Sequence, residues 1–188
     1  RRVLVTGGPG VVEACERRGA EVVLNDGRPV SVHFDAVVVG LDRQFDYDRL
    51  ALASAAVRAG ARLIATNSDA TYPTPMGLEP GGGSIVAAVA TASGVEPIVG
   101  GKPHQPMVEL VAELLEGPGT PFVARRTVMV GDRPDTDGLF ASRLGCRFAL
   151  VRTGVTAAGS AVDGDVDLDA ADLATVVRCL VSTSELIS

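Results

Sequence analysis

The sequence has no tryptophan, only two histidines and three cysteines in 188 residues, and aromatic residues make up 4% of it. The core must therefore be built from Val, Leu, Ile and Ala, a composition that suits strands buried on both faces in a parallel α/β protein. Cys15, Cys146 and Cys179 are widely spaced and form no Cys-x-x-Cys pair. This spacing indicates neither a zinc site nor a disulfide framework, and we expect three reduced thiols in a cytoplasmic protein.

Long apolar runs and an excess of basic residues are also missing. The apolar runs, such as 36–40, are too short to cross a bilayer, and we expect neither a signal peptide nor a membrane partner. The formal net charge is −6, which argues against binding to a nucleic-acid backbone. A small phosphate ligand stays compatible with this charge, because it needs only a few donors and one cation.

Apolar strand-like segments alternate with amphipathic helical segments along the whole chain. This order predicts parallel sheets with right-handed crossovers, which bind ligands outside the carboxyl ends of their strands. Polar residues fall at these predicted strand ends: Asn67, Asp69, Lys102, Asp132, Asp137 and Thr153. We therefore expect these residues to form the functional part of the molecule.

Two segments have a less regular pattern. Residues 71–83 are rich in Pro and Gly, which predicts a long loop. The aspartates between 163 and 172 lack the glycine and the terminal glutamate of a calcium-binding EF-hand loop. They predict instead a short strand at 166–168, followed by a helix with Asp169 as its N-cap and Asp172 in its first turn.

The most informative segment runs from the apolar strand at 127–130 through Gly131 to Asp132 and Asp137. Asp132 lies at the tip of the strand and Asp137 in the first turn of the next helix, so both carboxylates can point into one pocket. Two such carboxylates repel each other unless a cation lies between them, and their oxygens suit Mg²⁺. The alternative interpretation is a solvated turn with an N-cap aspartate.

Two glycine-rich elements could approach a phosphate group. Lys102 follows Gly100-Gly101, but Pro103 and Glu96 replace residues that a Walker loop requires. Gly82 and Gly83 precede a predicted helix, whose free N–H groups could bind an anion; a flexible loop with a serine N-cap is the alternative. The N-terminal glycines at 7–10 lack the spacing of a dinucleotide-binding fingerprint and support a nucleotide-binding oxidoreductase only weakly.

Taken together, the motifs resemble those of class IIA haloacid-dehalogenase-like phosphatases, the NagD-like group. The likeness extends from about Val3 to about Val155 and rests on these elements in this order: Val39-Gly40-Leu41-Asp42, Tyr47, Ile64-Ala65-Thr66-Asn67-Ser68-Asp69, Pro73-Thr74, Pro80-Gly81-Gly82-Gly83-Ser84, Gly101-Lys102-Pro103, Val130-Gly131-Asp132-Arg133-Pro134-Asp135-Thr136-Asp137 and Thr153-Gly154-Val155. The resemblance implies an α/β cap domain at 1–95 and, at 96–188, the C-terminal half of a Rossmann-type core with a parallel sheet.

The resemblance also implies a function and roles for individual residues. The chain is expected to belong to a Mg²⁺-dependent phosphatase that hydrolyses a small phosphate monoester through an aspartyl-phosphate. Lys102 would steady the nucleophile and the phosphate, Asp132 would bind Mg²⁺, and Asp137 would support the metal directly or through water. Asn67 and Asp69 would belong to the cap segment that closes over the substrate, beside Gly82 and Gly83. The family likeness leaves open a homodimer formed through the cap.

One part of the family pattern is missing from this sequence. No apolar strand followed by Asp-x-Asp-Gly, the motif that carries the nucleophile, precedes Val3. We therefore expect this chain alone to be inactive. The alternative is a catalytically inactive binding or interaction module that derives from the same family.

Overall fold

The computed structural model describes residues 1–117 and 121–184, and the chain forms two compact units, Arg1–Gly101 and Lys102–Ser188. The α/β class with parallel sheets is confirmed. Within the described part of the chain, no helix has the length and apolar character needed to cross a membrane.

The first unit contains the elements β1 (Arg2–Thr6), α1 (Pro9–Arg17), β2 (Glu21–Leu24), β3 (Ala36–Val39), α2 (Tyr47–Arg58), β4 (Arg62–Ala65), β5 (Thr71–Thr74), β6 (Gly77–Pro80), α3 (Gly82–Ser93) and β7 (Ile98–Val99). Five of these strands form one parallel sheet, in the order β2-β1-β3-β4-β7. The strands β5 and β6 form a separate antiparallel hairpin.

Side chains on both faces of this sheet are buried, as the aliphatic composition predicts. On one face α2 and α3 cover a core of buried residues that includes Leu4, Val37, Leu63 and Val89. On the other face α1 packs over a smaller cluster centred on Val3, Val5 and Ala36. Burial of a Val or Leu side chain stabilises the fold by about 1.5–3 kcal/mol, so the central strands hold the carboxyl-end loops in place.

Local signals fix the ends of α2. The carboxylate of Asp46 accepts a hydrogen bond from the N–H of Arg49 at 2.9 Å, as an N-cap should. Gly60, just beyond the helix, has φ +106°, a conformation that glycine adopts without strain. Each residue type therefore suits the helix end at which it lies.

The prediction of a long loop at 71–83 is wrong. The segment forms the β5-β6 hairpin, in which Thr71 pairs with Pro80 and Thr74 with Gly77, and α3 then begins at Gly82. Proline has no N–H group to donate to a neighbouring strand. Each strand of a two-stranded hairpin has a neighbour on one side only, so it tolerates prolines that a central strand would exclude.

The second unit contains α4 (Gln105–Leu115), a 3₁₀ turn (Ala124–Arg126), β8 (Val128–Gly131), a π-helical turn (Pro134–Gly138), α5 (Leu139–Leu144), β9 (Arg147–Val151), β10 (Leu168–Ala170) and α6 (Leu173–Ser184). Its three strands form a parallel sheet in the order β10-β9-β8. Buried side chains of β9, including Phe148 and Leu150, form the centre of this unit.

The acidic stretch near the end differs from its prediction in detail. Asp169 is not an N-cap but lies within β10, where its carboxylate pairs with the guanidinium of Arg152 at 2.5 Å. Asp172 caps α6 instead, accepting bonds from the N–H and the hydroxyl of Thr175, both at 2.7 Å. These bonds lower the pKa of Asp172, and the pairing with Arg152 lowers the pKa of Asp169.

The first unit extends beyond the boundary expected at Val95. Because β7 pairs with β4, Ile98–Val99 belongs to the five-stranded sheet, and the compact unit continues to Gly101. The interpretation of the two units as a cap and as half of a catalytic core stays a prediction.

Candidate functional site

In the second unit, β8 ends at Gly131 and delivers Asp132 to its carboxyl end, and the π-helical turn then places Asp137 beside it. Lys102 lies in the turn that precedes α4. The Nζ atom of Lys102 is 2.6 Å from Oδ1 of Asp137, an ion pair between distant parts of the sequence. The structure therefore brings together the three residues that the sequence singled out in this unit.

Asp137 is the most enclosed member of this group, with 3% of its surface exposed. Its Oδ1 is bound by Lys102, while its Oδ2 accepts hydrogen bonds from the main-chain N–H groups of Asp132 and Arg133, both at 3.1 Å. A buried carboxylate needs this compensation, because an unpaired buried charge is costly. Both oxygens of Asp137 are thus engaged by the protein.

Gly131 makes this enclosure possible. A Cβ atom at this position would lie 2.2 Å from Oδ2 of Asp137, far inside van der Waals contact. Any other residue would displace the carboxylate from the N–H groups at the end of β8. The glycine before the strand-tip aspartate is therefore required by the packing of Asp137.

Asp132 is bound on one side only. Its Oδ2 accepts a hydrogen bond from the main-chain N–H of Val155 at 2.6 Å. Within the described residues, no protein group donates to its Oδ1. One oxygen of this half-exposed carboxylate is therefore available to a ligand.

This donor set fits a magnesium ion only in part. The described residues contain no group of three or more His, Cys, Asp and Glu side chains that could hold a metal. Mg²⁺ commonly takes one or two carboxylates and fills its remaining positions with water and substrate phosphate. Asp132 can supply one oxygen of this kind, whereas both oxygens of Asp137 already accept hydrogen bonds from the protein, and a direct or water-mediated role of Asp137 at the metal stays a prediction.

The turn that carries Lys102 is held by a residue that the sequence did not single out. The guanidinium of Arg143, on α5, donates to the carbonyl oxygen of Pro103 at 2.6 Å. This contact and the Asp137 pair restrain the turn from two sides. The role of Arg143 had no signal in the sequence, since an arginine near a helix end is common on any surface.

The predicted substrate-binding residues lie in the first unit, near the carboxyl end of β4. Asn67 Oδ1 accepts a hydrogen bond from the N–H of Asp69 at 3.2 Å, and the carbonyl of Asp69 accepts one from the N–H of Gly83 at 2.9 Å. A Cβ atom on Gly82 would come within 3.3 Å of Asn67 Oδ1, and one on Gly83 within 2.4 Å of the Ser68 carbonyl. The structure brings these four residues together, and the glycines permit the close approach of two loops.

The nearby hairpin is fixed by a polar contact that the sequence did not reveal. Arg43 donates to Tyr72 at 2.9 Å and to Glu79 at 2.7 Å, and the hydroxyl of Tyr72 donates to Glu79 at 2.8 Å. The bond to Glu79 raises the pKa of Tyr72, with desolvation adding to the effect. The hairpin is thereby joined to the loop that follows β3.

The glycine loop after β1 is a poor phosphate site. The N–H of Gly8 donates to the carbonyl of Leu41 at 3.1 Å, that of Val11 to the carbonyl of Gly8 at 3.0 Å, and Pro9 has no N–H. A dinucleotide site needs these donors for the pyrophosphate. The loop instead joins the ends of β1 and β3.

Comparison with known proteins gives consistent results. A family model described as HAD-hydrolase-like matches residues 99–181. The chain is 38% identical over 154 residues to a 5′-nucleotidase of Bacillus subtilis, covering 82% of this chain and 56% of that protein. It is 43% identical over 162 residues to a D-glycerol 3-phosphate phosphatase of Mycobacterium tuberculosis, covering 86% and 42%. The chain spans about half the length of the curated relatives that it matches.

Solved structures show the same likeness. A hypothetical protein from Pyrococcus horikoshii superimposes with a TM-score of 0.80 at 37% identity, covering 95% of this chain and 67% of that one. The glycerol phosphate phosphatase of Mycobacterium tuberculosis, solved in complex with magnesium, gives a TM-score of 0.69 at 41% identity, covering 82% and 44%.

Proposed function

The chain belongs to the haloacid-dehalogenase-like hydrolases, in the NagD-like group, and we propose that it forms part of a Mg²⁺-dependent phosphatase acting on a small phosphate monoester. The observation that carries the proposal is the ion pair between Lys102 and Asp137, at 2.6 Å, beside the strand-tip carboxylate of Asp132. A cation and a partly bound carboxylate at the end of a parallel strand are suited to a charged phosphate group.

Lys102 is the residue that we assign to the phosphoryl group. Its side chain is 44% exposed, so its ammonium keeps access to solvent although Asp137 holds it from the protein side. An ammonium has three N–H donors, and the pair with Asp137 uses one of them. The others can donate to phosphate oxygens, whose negative charge the ammonium offsets without having to reorient.

Asp132 is the residue that we assign to the metal ion, through its Oδ1. When bound there, Mg²⁺ would polarise the phosphoryl oxygens and offset their charge. Asp137 is then a positioning residue: it fixes the ammonium of Lys102 and, through two N–H groups, the backbone at the end of β8.

The attacking carboxylate belongs, in this proposal, to polypeptide outside these 188 residues. Among the described residues, no third acidic, histidine or cysteine side chain joins Asp132 and Asp137 in a metal-binding group. An aspartate that forms an aspartyl-phosphate would have to lie close to the metal ion and to Lys102. We therefore expect turnover from the complete reading frame and none from the 188-residue chain.

The first unit is assigned to recognition of the substrate's leaving group. The support is the cluster of Asn67, Asp69, Gly82 and Gly83 at the carboxyl end of β4, which forms a polar, closely packed edge. The relatives are named as a 5′-nucleotidase, a D-glycerol 3-phosphate phosphatase and an acid sugar phosphatase, so we expect the substrate of this protein to be a small phosphorylated metabolite. Homodimerisation through the first unit stays a prediction, which light scattering of the purified protein would test.

The test is phosphate release from a panel of small phosphate esters by protein expressed from its complete reading frame, with Mg²⁺ and with EDTA. We expect Mg²⁺-dependent release that falls by at least about 100-fold in Lys102→Met and in Asp132→Asn. The matched control is Asp135→Asn, because the side chain of Asp135 lies in the same turn but is 73% exposed. Equal activity in Lys102→Met and the control, or release unaffected by EDTA, would refute the proposal.

A further inference from the structure

The turn after β9 lies so close to Asp132 that a side chain at position 154 of this turn would collide with the carboxylate. The main-chain N–H of Val155 donates to Asp132 Oδ2 at 2.6 Å, a short bond to a charged acceptor. Because the donor belongs to the main chain, nearly any residue at position 155 could provide it. The restrictive position is the one before it.

A Cβ atom on Gly154 would lie 1.8 Å from Oδ2 of Asp132 and 2.4 Å from its Cγ. Real Cβ atoms essentially never approach another atom more closely than 3.0 Å. Gly154 is not among the glycines with positive φ, so its backbone conformation would accept other residues. The three nearest atoms all belong to Asp132, so the requirement for glycine comes from the nearness of this side chain and not from the backbone conformation.

We infer that Gly154 is a positioning residue for the metal-binding carboxylate, an inference that rests on the proposed function of Asp132. The absence of a side chain lets the Val155 N–H bind Oδ2 and fixes the rotation of the carboxylate. Oδ1, which receives no hydrogen bond from the described residues, is then the oxygen presented to the cation. The arrangement sets which oxygen of Asp132 serves as ligand.

Gly154→Ala must either rotate Asp132 or push the turn outward, and both break the bond from Val155. Loss of a group that orients a metal ligand commonly weakens metal binding by about 10- to 100-fold. Gly117→Ala is the matched control in the same unit, because a Cβ atom there meets nothing within 4 Å.

The experiment measures Mg²⁺ affinity by calorimetry in protein expressed from its complete reading frame. We expect Gly154→Ala to weaken binding by about 10- to 100-fold, Asp132→Ala to abolish it and Gly117→Ala to leave it unchanged. In Gly154→Ala, turnover should recover at raised Mg²⁺ concentration, which damage to the fold would not allow. Val155→Pro removes the same N–H donor and directs the proline Cδ towards Asp132 Oδ2, so it should show the same loss, and it serves if Gly154→Ala does not fold.

A spectroscopic readout tests the contact without metal. The amide resonance of Val155 should move in both Gly154→Ala and Asp132→Ala relative to the unmodified protein. In the Asp132→Ala background the carboxylate is gone, so adding Gly154→Ala should lower the thermal midpoint far less than it does alone.

The outcomes separate the two claims. If the unmodified protein binds no Mg²⁺, or Asp132→Ala binds it equally well, the proposed function fails. If Asp132→Ala abolishes binding while Gly154→Ala and Val155→Pro bind like the control, the positioning role is overturned and the metal role of Asp132 stands.

Discussion

Replacement of Asp137 by alanine gives the sharpest test of how the second unit is held together. The substitution removes one carboxylate and leaves three groups without their acceptor: the ammonium of Lys102 and the N–H groups of Asp132 and Arg133. The Lys102 side chain is 44% exposed and its ammonium can bind water instead, so loss of the ion pair contributes about 1 kcal/mol or less to the destabilisation. The two N–H groups are partly buried, and each unsatisfied donor costs about 1–3 kcal/mol.

We therefore expect Asp137→Ala to lower the free energy of unfolding of the second unit by about 3–5 kcal/mol, which is a drop of more than about 10 °C in its thermal midpoint. Asp137→Asn should lie between this variant and the unmodified protein, since its amide oxygen can still accept but its NH₂ group opposes the ammonium. Asp135→Ala, in the same turn, should change stability by less than about 0.5 kcal/mol.

The assay is urea and thermal unfolding followed by far-ultraviolet circular dichroism, because the sequence has no tryptophan to report by fluorescence. Equal midpoints for Asp137→Ala and Asp135→Ala would show that hydrogen bonds from the three donors to water replace their bonds to Asp137 at no cost in stability. That result would refute the view that this carboxylate holds the end of β8.

Three further substitutions test other parts of the structure. Gly83→Ala places a Cβ atom 2.4 Å from the carbonyl group of Ser68, in the loop after β4, and should destabilise the first unit by about 1–3 kcal/mol in thermal unfolding. The control is Gly10→Ala, whose Cβ atom would have nothing within 4 Å and which should be neutral or stabilising. Asn25→Leu removes the hydrogen bonds of a side chain that is 1% exposed and should cost about 2–3 kcal/mol in urea unfolding, against little change for Asp26→Ala on the surface. Asp172→Ala removes the cap of α6 and should lower the thermal midpoint at pH 7; because the folded-state pKa of Asp172 is lowered, this difference should fade as pH falls through that pKa and vanish below it.

The main sheet of the first unit could be predicted because its signals are local. Runs such as Ala36–Val39 are apolar throughout, which is typical of strands covered on both faces, and Asp46 and Gly60 mark the ends of α2 by their own chemistry. The hairpin at 71–80 was missed for the opposite reason. Its prolines conceal the alternation of β-forming residues, and the ion pair of Arg43 with Glu79 that stabilises it joins residues far apart in sequence.

The candidate site was predicted in its membership but not in its hydrogen bonding. The position of Asp132 and Asp137 around a strand end, together with Lys102, was enough to expect one cluster. The sequence could not show which carboxylate oxygens accept hydrogen bonds. Two donors to Asp137 and the donor to Asp132 are main-chain N–H groups, which almost any residue type can provide. Gly131 and Gly154 are the sequence features that these contacts require, but glycine is common in loops whether or not a side chain approaches it.

The hydrogen bonds of Asp137 also change the expected dependence on metal. Two neighbouring carboxylates were expected to need a cation between them, but Asp137 has its charge offset by Lys102 and two N–H groups, and Asp132 lies half-exposed with one N–H donor. These protein donors therefore offset the repulsion between the two carboxylates, and the second unit should fold without metal. Unfolding of the second unit in EDTA and in millimolar Mg²⁺ should give midpoints that differ by no more than about 4–8 °C, the effect of roughly 1 kcal/mol of weak binding. Loss of the folded baseline in EDTA would show that the two acids do depend on a cation, and that the ion pair with Lys102 does not suffice.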